Sequence, residues 1–472
     1  QGRKEHSFKP MGAPHKSFLL SRLVCIAAVV ACGHIFFHDE PAELKCSQSA
    51  DFNVSIELDR ELMTIHHKYA LSPGNLDEKY FTEDGNVRFW KDFTGSDIVD
   101  GLLSILKDVM RNPVNSWFWI YSLSRTSFFG MQGASALLWA RGFRSFEDWK
   151  ALLGTDPLSM LSECIAAYRQ DLQWQRQLLF KQPYDLSWRH RQFNPFYMLH
   201  QAMLALVELS AMLDRRFSDQ TDTMHWMRND FYPDYYQHTF HFQPDGWLSA
   251  KSAETYEHSS ETAFVGMQDT MQRTTLLPLV QFMHGWHAAE NPKVLEVGAG
   301  TGRFATFLKD NFPAVDLTVS DLSPFYLDRA RTNMQHWRRV SGIAAERIAP
   351  VTYMWAAAET IPMPAGSYDV ILCQYLFHEL PPDARRKVVK EAARLLSPGG
   401  MFLLTDSFQR GDRPFLEERQ AAYGFDFEQH NEPYYGTYLW ENFGEMFTKD
   451  GEFVAGQKYM SAITKTLSFK RI

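Results

Sequence analysis

Residues 294–304, Val-Leu-Glu-Val-Gly-Ala-Gly-Thr-Gly-Arg-Phe, constrain the fold of this 472-residue chain more than any other stretch. An apolar run carries one carboxylate, Glu296, and passes into three alternate glycines, Gly298, Gly300 and Gly302, before a helical pattern begins. Glycine takes left-handed backbone without a Cβ penalty. The spacing therefore predicts a buried strand, a sharp turn that lets backbone approach a ligand closely, and a helix whose first N–H groups lack partners. That is the layout of a nucleotide-cofactor crevice. A dinucleotide site would place its third glycine one residue later and a pyrophosphate over the turn, where Glu296 would repel it. S-adenosyl-L-methionine carries an ammonium and a sulfonium and no phosphate, so the acidic residue beside the turn favours it.

A second apolar run, 315–321, ends in Asp321, about twenty residues beyond the glycines, where a carboxylate can accept both hydrogens of a ribose diol. From residue 293 onward strand and helix patterns alternate. Strands are predicted at Val294–Val297, Asp316–Asp321, Ala349–Trp355, Tyr368–Tyr375, Met401–Ser407, Phe453–Met460 and Ile463–Phe469, with helices at Arg303–Asn311, Pro324–Val340 and Pro382–Leu396. The first five strands are joined by crossovers and imply a parallel sheet covered on both faces. Too few residues separate the last two for a crossover, so a terminal hairpin adds one antiparallel strand. The fold class is α/β, a Rossmann-like sheet preceded by a mainly helical domain.

Upstream, 60–230 reads as helical, with apolar residues at three- and four-residue steps in 97–110, 145–153 and 196–213. Loops are marked at 72–74, 84–85 and 194–195. The segment 231–247 is dense in aromatic rings, and 252–272 reads as one polar helix. Tyr235, Tyr236, His241, Trp247 and, further on, Met267 are candidate acceptor-contacting residues: rings ahead of a cofactor domain form either a lid over the substrate or an inter-domain core, and ring faces attract cations. His238 and His241 lack an evident third ligand, so no metal is expected. The domains read as 1–45, a leader; 60–230, helical; 231–290, the aromatic bridge; and 291–472, the cofactor domain.

The formal charge is −8, from 48 Lys+Arg against 56 Asp+Glu, with no basic stripe in the body of the chain, which argues against a nucleic-acid substrate and for a small-molecule one. Five cysteines without a Cys-x-x-Cys pair write neither a zinc site nor a disulfide framework, and Cys373 reads as a packing residue. At the N-terminus, basic residues precede the apolar run 23–37; this reads as a signal peptide, a membrane tether through residues 17–37, or an organelle leader, with a buried helix as the alternative. One glycosylation triplet, at 53–55, is uninformative alone.

The motifs Glu296-Val-Gly-Ala-Gly-Thr-Gly302, Asp321-Leu-Ser-Pro324, Ala358-Glu-Thr-Ile-Pro362, Tyr368-Asp-Val-Ile371 and Leu395-Leu-Ser-Pro-Gly-Gly400 resemble those of class I S-adenosylmethionine-dependent methyltransferases. The nearest branch holds the ubiquinone/menaquinone C-methyltransferases and related plastid and cyanobacterial proteins. The likeness covers 290–472, and Gln374-Tyr-Leu-Phe-His-Glu-Leu-Pro381 with the segment 235–249 extends it back to about 180. It implies that Glu296, Gly298 and Gly300 line the methionine end of the cofactor, Asp321 the ribose, and Ala357 with Ala358 the adenine, whose face packs on Leu322 and Ile361, with Ala299, Gly302 and Gln374 also cofactor-binding. One departure stands out: Ala357 occupies a position where the family often has Asp or Asn, so the contact to the adenine amino group either comes from backbone or is missing. A plastid or a secretory/membrane location follows from the leader and the branch.

Methyl transfer is an in-line displacement, and position supplies much of its rate. A phenol, hydroxyl or enol nucleophile also gains from a base, and His378 and Glu379, just past the fourth strand, are the candidate catalytic residues. Three readings remain open: oxygen or carbon methylation of an aromatic or quinone-like metabolite; sulfur methylation of a small thio-acid, as in algal sulfonium osmolyte synthesis; and a cofactor-binding assembly factor without turnover. A nicotinamide dehydrogenase fails on the glycine spacing and on Glu296.

Overall fold

The computed structural model describes residues 80–81, 98–111, 116, 119–129, 131–132, 162–171, 174–175, 195–217, 230–264, 266–286, 290–413 and 431–472. The expected leader at 1–45, the glycosylation triplet, the helix at 145–153 and the loops at 72–74, 84–85 and 194 lie outside the described residues.

The alternation of apolar residues in each strand decides the architecture. Leu295, Ile371, Cys373, Phe402, Leu404, Leu467 and Phe469 enter one buried cluster, and Val294, Leu317, Val319, Val370, Leu372 and Leu403 enter another. Successive strand residues point to opposite faces, so a sheet apolar on both sides must be covered on both. Seven strands follow: β1 Lys293–Val297, β2 Asp316–Asp321, β3 Val351–Trp355, β4 Tyr368–Gln374, β5 Leu396–Ser407, β6 Phe453–Ser461 and β7 Thr464–Arg471. Their order is β3-β2-β1-β4-β5-β7-β6. The β1–β5 pairs are parallel, while β7 is antiparallel to both neighbours, as the short connection between the last two strands requires.

In chain order, the helices around the sheet are α1 Ala250–Ala263, α2 Gln268–Arg273, α3 Leu276–His284, α4 Arg303–Asn311, α5 Pro324–Val340, α6 Pro382–Leu395, α7 Tyr435–Leu439 and α8 Phe443–Thr448. Residues of α3, α4 and α5 cover one face, and residues of α6, α7 and α8 the other. In β5 the Ser397-Pro398-Gly399-Gly400 stretch is a bulge rather than a turn before the strand: Tyr368 pairs with Leu396, and the register then shifts before Val370 pairs with Met401. β3 starts later than expected because the Ala349 N–H donates to the Pro313 carbonyl.

The expected single helix over 252–272 is two. Gly266 separates α1 from α2 with a φ of +78°, and a Cβ there would stand 2.7 Å from the Phe129 Cδ2 atom. The helices Ile98–Arg111 and Pro195–Phe217 form where periodicity predicts them. Upstream residues dock on the β6–β7 end, with the Trp174 Nε1 donating to the Met460 carbonyl at 3.0 Å and Phe81 edge-on to Phe469. Among the described residues no helix is long and apolar enough to cross a membrane.

Candidate active site

The crevice begins at the carboxyl end of β1, the usual ligand edge of an open α/β sheet. Gly298, Gly300 and Gly302 have φ of +60°, +57° and +68°, the left-handed region the spacing calls for. They are not equivalent. A Cβ on Gly302 would sit 2.8 Å from the Ala330 Cβ of α5, and one on Gly298 would sit 2.9 Å from Leu376 Cδ2, so these two let neighbouring elements close on the turn. At Gly300 the nearest atom is 3.9 Å away, which leaves its open side toward the crevice. Gly300→Val bears only the strain of its left-handed φ and is expected to lose S-adenosylhomocysteine binding at reduced stability, whereas Gly302→Val adds a clash with Ala330 and should fail to accumulate as folded protein; circular dichroism and calorimetry separate the two.

Two carboxylates flank the turn. Asp321 holds it: Oδ2 accepts the Gly300 N–H and Oδ1 the Ser323 N–H, both at 2.8 Å, and burial pushes its carboxyl up to about 6. Glu296 is fully buried, and its Oε2 has no partner among the described residues. Burial, then the nearby Asp321 charge, push its carboxyl up to about 8. An orphaned buried carboxylate is costly unless a donor arrives, and an ammonium group is such a donor. The residues present fit the methionine end of S-adenosylmethionine on this ground.

The aromatic bridge folds onto the same edge. Trp247 stacks on Phe240 with ring centroids 5.6 Å apart and meets Tyr326 of α5 and Tyr256 of α1 edge-on, while the Ser323 hydroxyl donates to the Trp247 carbonyl. Gln243 Oε1 accepts from Tyr326 Oη at 3.1 Å and Ser252 Oγ at 3.0 Å. Tyr236 stacks on Tyr232, and burial followed by the charge of Asp321 raises its hydroxyl well above the ordinary phenol value, placing it beside that carboxylate. The Tyr235 hydroxyl donates to Glu359, next to Ala357 and Ala358 in the loop after β3. Leu322 lends its carbonyl to Trp355 Nε1 at 2.7 Å. Gln374 Nε2 donates to Thr275 Oγ1 at 3.1 Å, and its Oε1 is buried without a partner among the described residues. Met267 stands apart: it is buried in a cluster with Trp119, Tyr168, Met271 and Ala462, and packing is its role there. Cys373 is fully buried in the sheet core.

Beyond β4 and β5 the structure joins the adjacent His378 and Glu379 to three side chains distant in sequence, His241, Asp406 and Glu432. His378 Nδ1 donates to Asp406 Oδ1 at 2.5 Å, and Asp406 Oδ2 accepts the Phe377 N–H at 2.9 Å. His378 Nε2 lies 3.4 Å from Glu379 Oε1. The same Oε1 accepts from His241 Nε2 at 2.7 Å, and His241 Nδ1 reaches Glu432 Oε1 at 2.8 Å. His241 has a φ of 54°, a conformation a non-glycine residue keeps only where its surroundings impose it. Burial would lower both imidazoles, but Glu379 and Glu432 raise His241 to about 10, and Asp406 with Glu379 raises His378 well above its usual range. Burial would raise Glu379; the two imidazoles outweigh it and hold the carboxyl at about 2. His378 is held toward its protonated form, with Nδ1 on Asp406 and Nε2 facing Glu379, and Glu379 is buried between the two imidazoles. His241, weighed as a metal ligand, is instead an ion-pair partner. Among the described residues no group of three or more His, Cys, Asp or Glu is placed to hold a metal ion.

Arg303, first residue of α4, anchors the turn from behind. Its Nε donates to Asp269 Oδ1 at 2.6 Å and its Nη2 to Glu261, while Arg125 donates to the same two carboxylates. Sequence reasoning missed Asp406, Glu432 and this network. A carboxylate at the end of an apolar strand, the pattern that marked Asp321, also marks Asp406; nothing local marks Glu432.

Residues 294–400 match the family model described as a methyltransferase domain. The malonyl-[acyl-carrier protein] O-methyltransferase of Paenibacillus sp. is 29% identical over 161 residues, 32% of this chain and 53% of the relative. The human tRNA N(3)-cytidine methyltransferase is 27% identical over 33% of this chain and 39% of its own length. The demethylmenaquinone methyltransferase of Deinococcus radiodurans is 30% identical over 25% of this chain and 44% of its own length. The chain therefore spans about half, or less, of the curated relatives it matches, and the likeness lies in the cofactor half of the molecule.

Proposed function

We propose that this chain, in which residues 294–400 form a methyltransferase domain of the class I S-adenosylmethionine-dependent type, transfers a methyl group to oxygen or carbon of a small aromatic or quinone-like molecule. The observation that carries the reading is the buried, partnerless Glu296 carboxylate next to a left-handed glycine turn. When bound, S-adenosylmethionine supplies an electrophilic methyl on a sulfonium leaving group. Glu296 would hold its ammonium, Asp321 its ribose hydroxyls, and the backbone at Gly298–Gly300 would let it lie close to the strand end. The rings of Tyr236, Trp247, Tyr256 and Tyr326 exclude water from the edge and offer flat apolar surface to a ring-shaped acceptor.

The relatives named above act on an acyl-carrier protein, a tRNA and a quinone precursor, so the acceptor of this chain has to be argued from its own residues. A net charge of −8 and the carboxylates at this edge disfavour a polyanion such as RNA. The His378–Glu379 constellation favours an acceptor that must lose a proton over a thioether, which has none to lose. Incubation with methyl-labelled S-adenosylmethionine and fractionated cell extract is expected to label a small-molecule product. Cofactor binding without label transfer to any fraction would instead support a non-catalytic cofactor-binding role.

A further inference from the structure

We propose that the group methylated is a hydroxyl, and that it reaches the protein by donating a hydrogen bond to Glu379 Oε2. The inference rests on the transferase reading above. Glu379 is nine-tenths buried; its Oε1 is engaged by His241 at 2.7 Å and faces His378 at 3.4 Å, yet Oε2 has no partner among the described residues. A buried carboxylate oxygen without a donor is a vacancy that a ligand hydrogen fills. It lies past the carboxyl end of β4, the strand edge that also carries the glycine turn, and its partners His241 and His378 meet Trp247 and Tyr435 edge-on with ring centroids 6.0 Å and 5.5 Å apart.

Charge then selects among acceptors. Glu379, Asp406 and Glu432 set three negative charges against the two imidazoles of His241 and His378. The nearby cations are paired elsewhere: Arg303 with Asp269 and Glu261, Arg385 with Glu441, Lys458 and Lys465 with Asp412. A carboxylate acceptor would enter a net negative field and offer no hydrogen to Oε2. An amine would be held protonated by that field, with its lone pair tied up. A thioether has no hydrogen to give. A hydroxyl meets every condition, keeping a lone pair for attack while its hydrogen is on Oε2.

The step balances. The acceptor oxygen forms the new C–O bond as the C–S bond breaks, that bond's electron pair remains on sulfur to leave a neutral thioether, and the hydroxyl proton passes to Glu379 Oε2. Glu379 is only weakly basic between its two imidazoles. That suffices, because an oxygen that has gained a methyl while still carrying its proton is far more acidic than a carboxylic acid. His241 and His378 are positioning residues here, fixing Oε1 so that Oε2 faces the acceptor.

The test uses the full chain, methyl-labelled S-adenosylmethionine and fractionated cell extract, comparing wild type with Glu379→Gln. S-adenosylhomocysteine should bind both proteins within about twofold by calorimetry, while label transfer falls at least about tenfold in the variant, the loss expected for a charged hydrogen bond. The labelled product should resist cold alkali and release its label as methyl iodide in hot hydriodic acid, the behaviour of a methyl ether. Label lost in cold alkali as methanol or a methyl sulfide, label retained through hydriodic acid on carbon or nitrogen, or undiminished transfer by the variant would each overturn the hydroxyl assignment while leaving a transferase in place. No transfer by wild type would remove the transferase reading itself.

Discussion

Glu296→Gln should make the cofactor-free protein more stable at pH 8 while reducing S-adenosylhomocysteine affinity at least about a hundredfold. The two effects share one cause. In the folded chain burial and the Asp321 charge push the Glu296 carboxyl up to about 8, whereas an unfolded glutamate titrates near ~4.3. A group whose folded pKa is raised contributes stability that is present below the unfolded value and is lost as pH rises through the folded one. Between about pH 4.3 and pH 8 the wild type therefore loses stability as the buried carboxyl is driven to ionise without a partner. The amide has no proton to lose, so the variant should match wild type near pH 4 and exceed it at pH 8 by on the order of 4–5 kcal/mol. Denaturant titrations at the two pH values measure this. The ammonium of the cofactor needs the ionised form, so wild-type binding should tighten about tenfold per pH unit up to about pH 8, with the heat of buffer protonation revealing the proton released. A variant that binds normally, or a wild-type affinity flat across this range, would contradict the role given to Glu296.

Arg303→Met should cost about 3–5 kcal/mol of stability, the penalty for removing one partner from a buried ion network. Asp269 and Glu261 each accept from both Arg303 and Arg125, and all four side chains are nearly or fully withdrawn from water. Burial would raise Asp269; the arginines, Arg303 foremost, hold it well below the usual carboxylate range. Without Arg303, the two buried carboxylates lose one of the guanidinium groups that neutralise them, with Arg125 still on both and Arg273 acting on Asp269. Because Arg303 follows Gly302 directly, the loss also frees the first turn of α4, and cofactor affinity should fall with stability. The double variant Arg303→Met with Asp269→Asn should recover part of the stability, since it removes the stranded charge. An unchanged denaturation midpoint in the single variant would show that the network contributes nothing.

The elements that sequence reasoning found are those whose signal is local. Glu296, the three glycines and Asp321 lie within about thirty residues, each strand alternates faces within its own length, and the crossovers make the first five strands parallel, whereas the order β3-β2-β1-β4-β5-β7-β6 has no local signal. Gly266 shows the limit of periodicity: the polar pattern of 252–272 continues across it, but its positive φ stops one helix and starts another. The ion-paired constellation around Glu379 is a different kind of object. His241 lies in the aromatic bridge, Glu379 after β4, Asp406 at the end of β5 and Glu432 just before α7, and only the closed sheet brings them within hydrogen-bond reach. His378 and Glu379 were legible as residues at a crevice edge, but their ionisation was not, because it is set by those distant partners. The same holds for Met267, whose sequence neighbours place it near the bridge while its side chain packs into a separate core cluster.

The most direct test of the account is a crystal structure of the full chain grown with S-adenosylhomocysteine. The expected result is the ligand at the carboxyl end of β1, its amino group within hydrogen-bond distance of Glu296 Oε2, its ribose hydroxyls on Asp321 and its sulfur facing Glu379. The ligand absent from this crevice, or its amino group turned away from Glu296 with another residue as its partner, would contradict it.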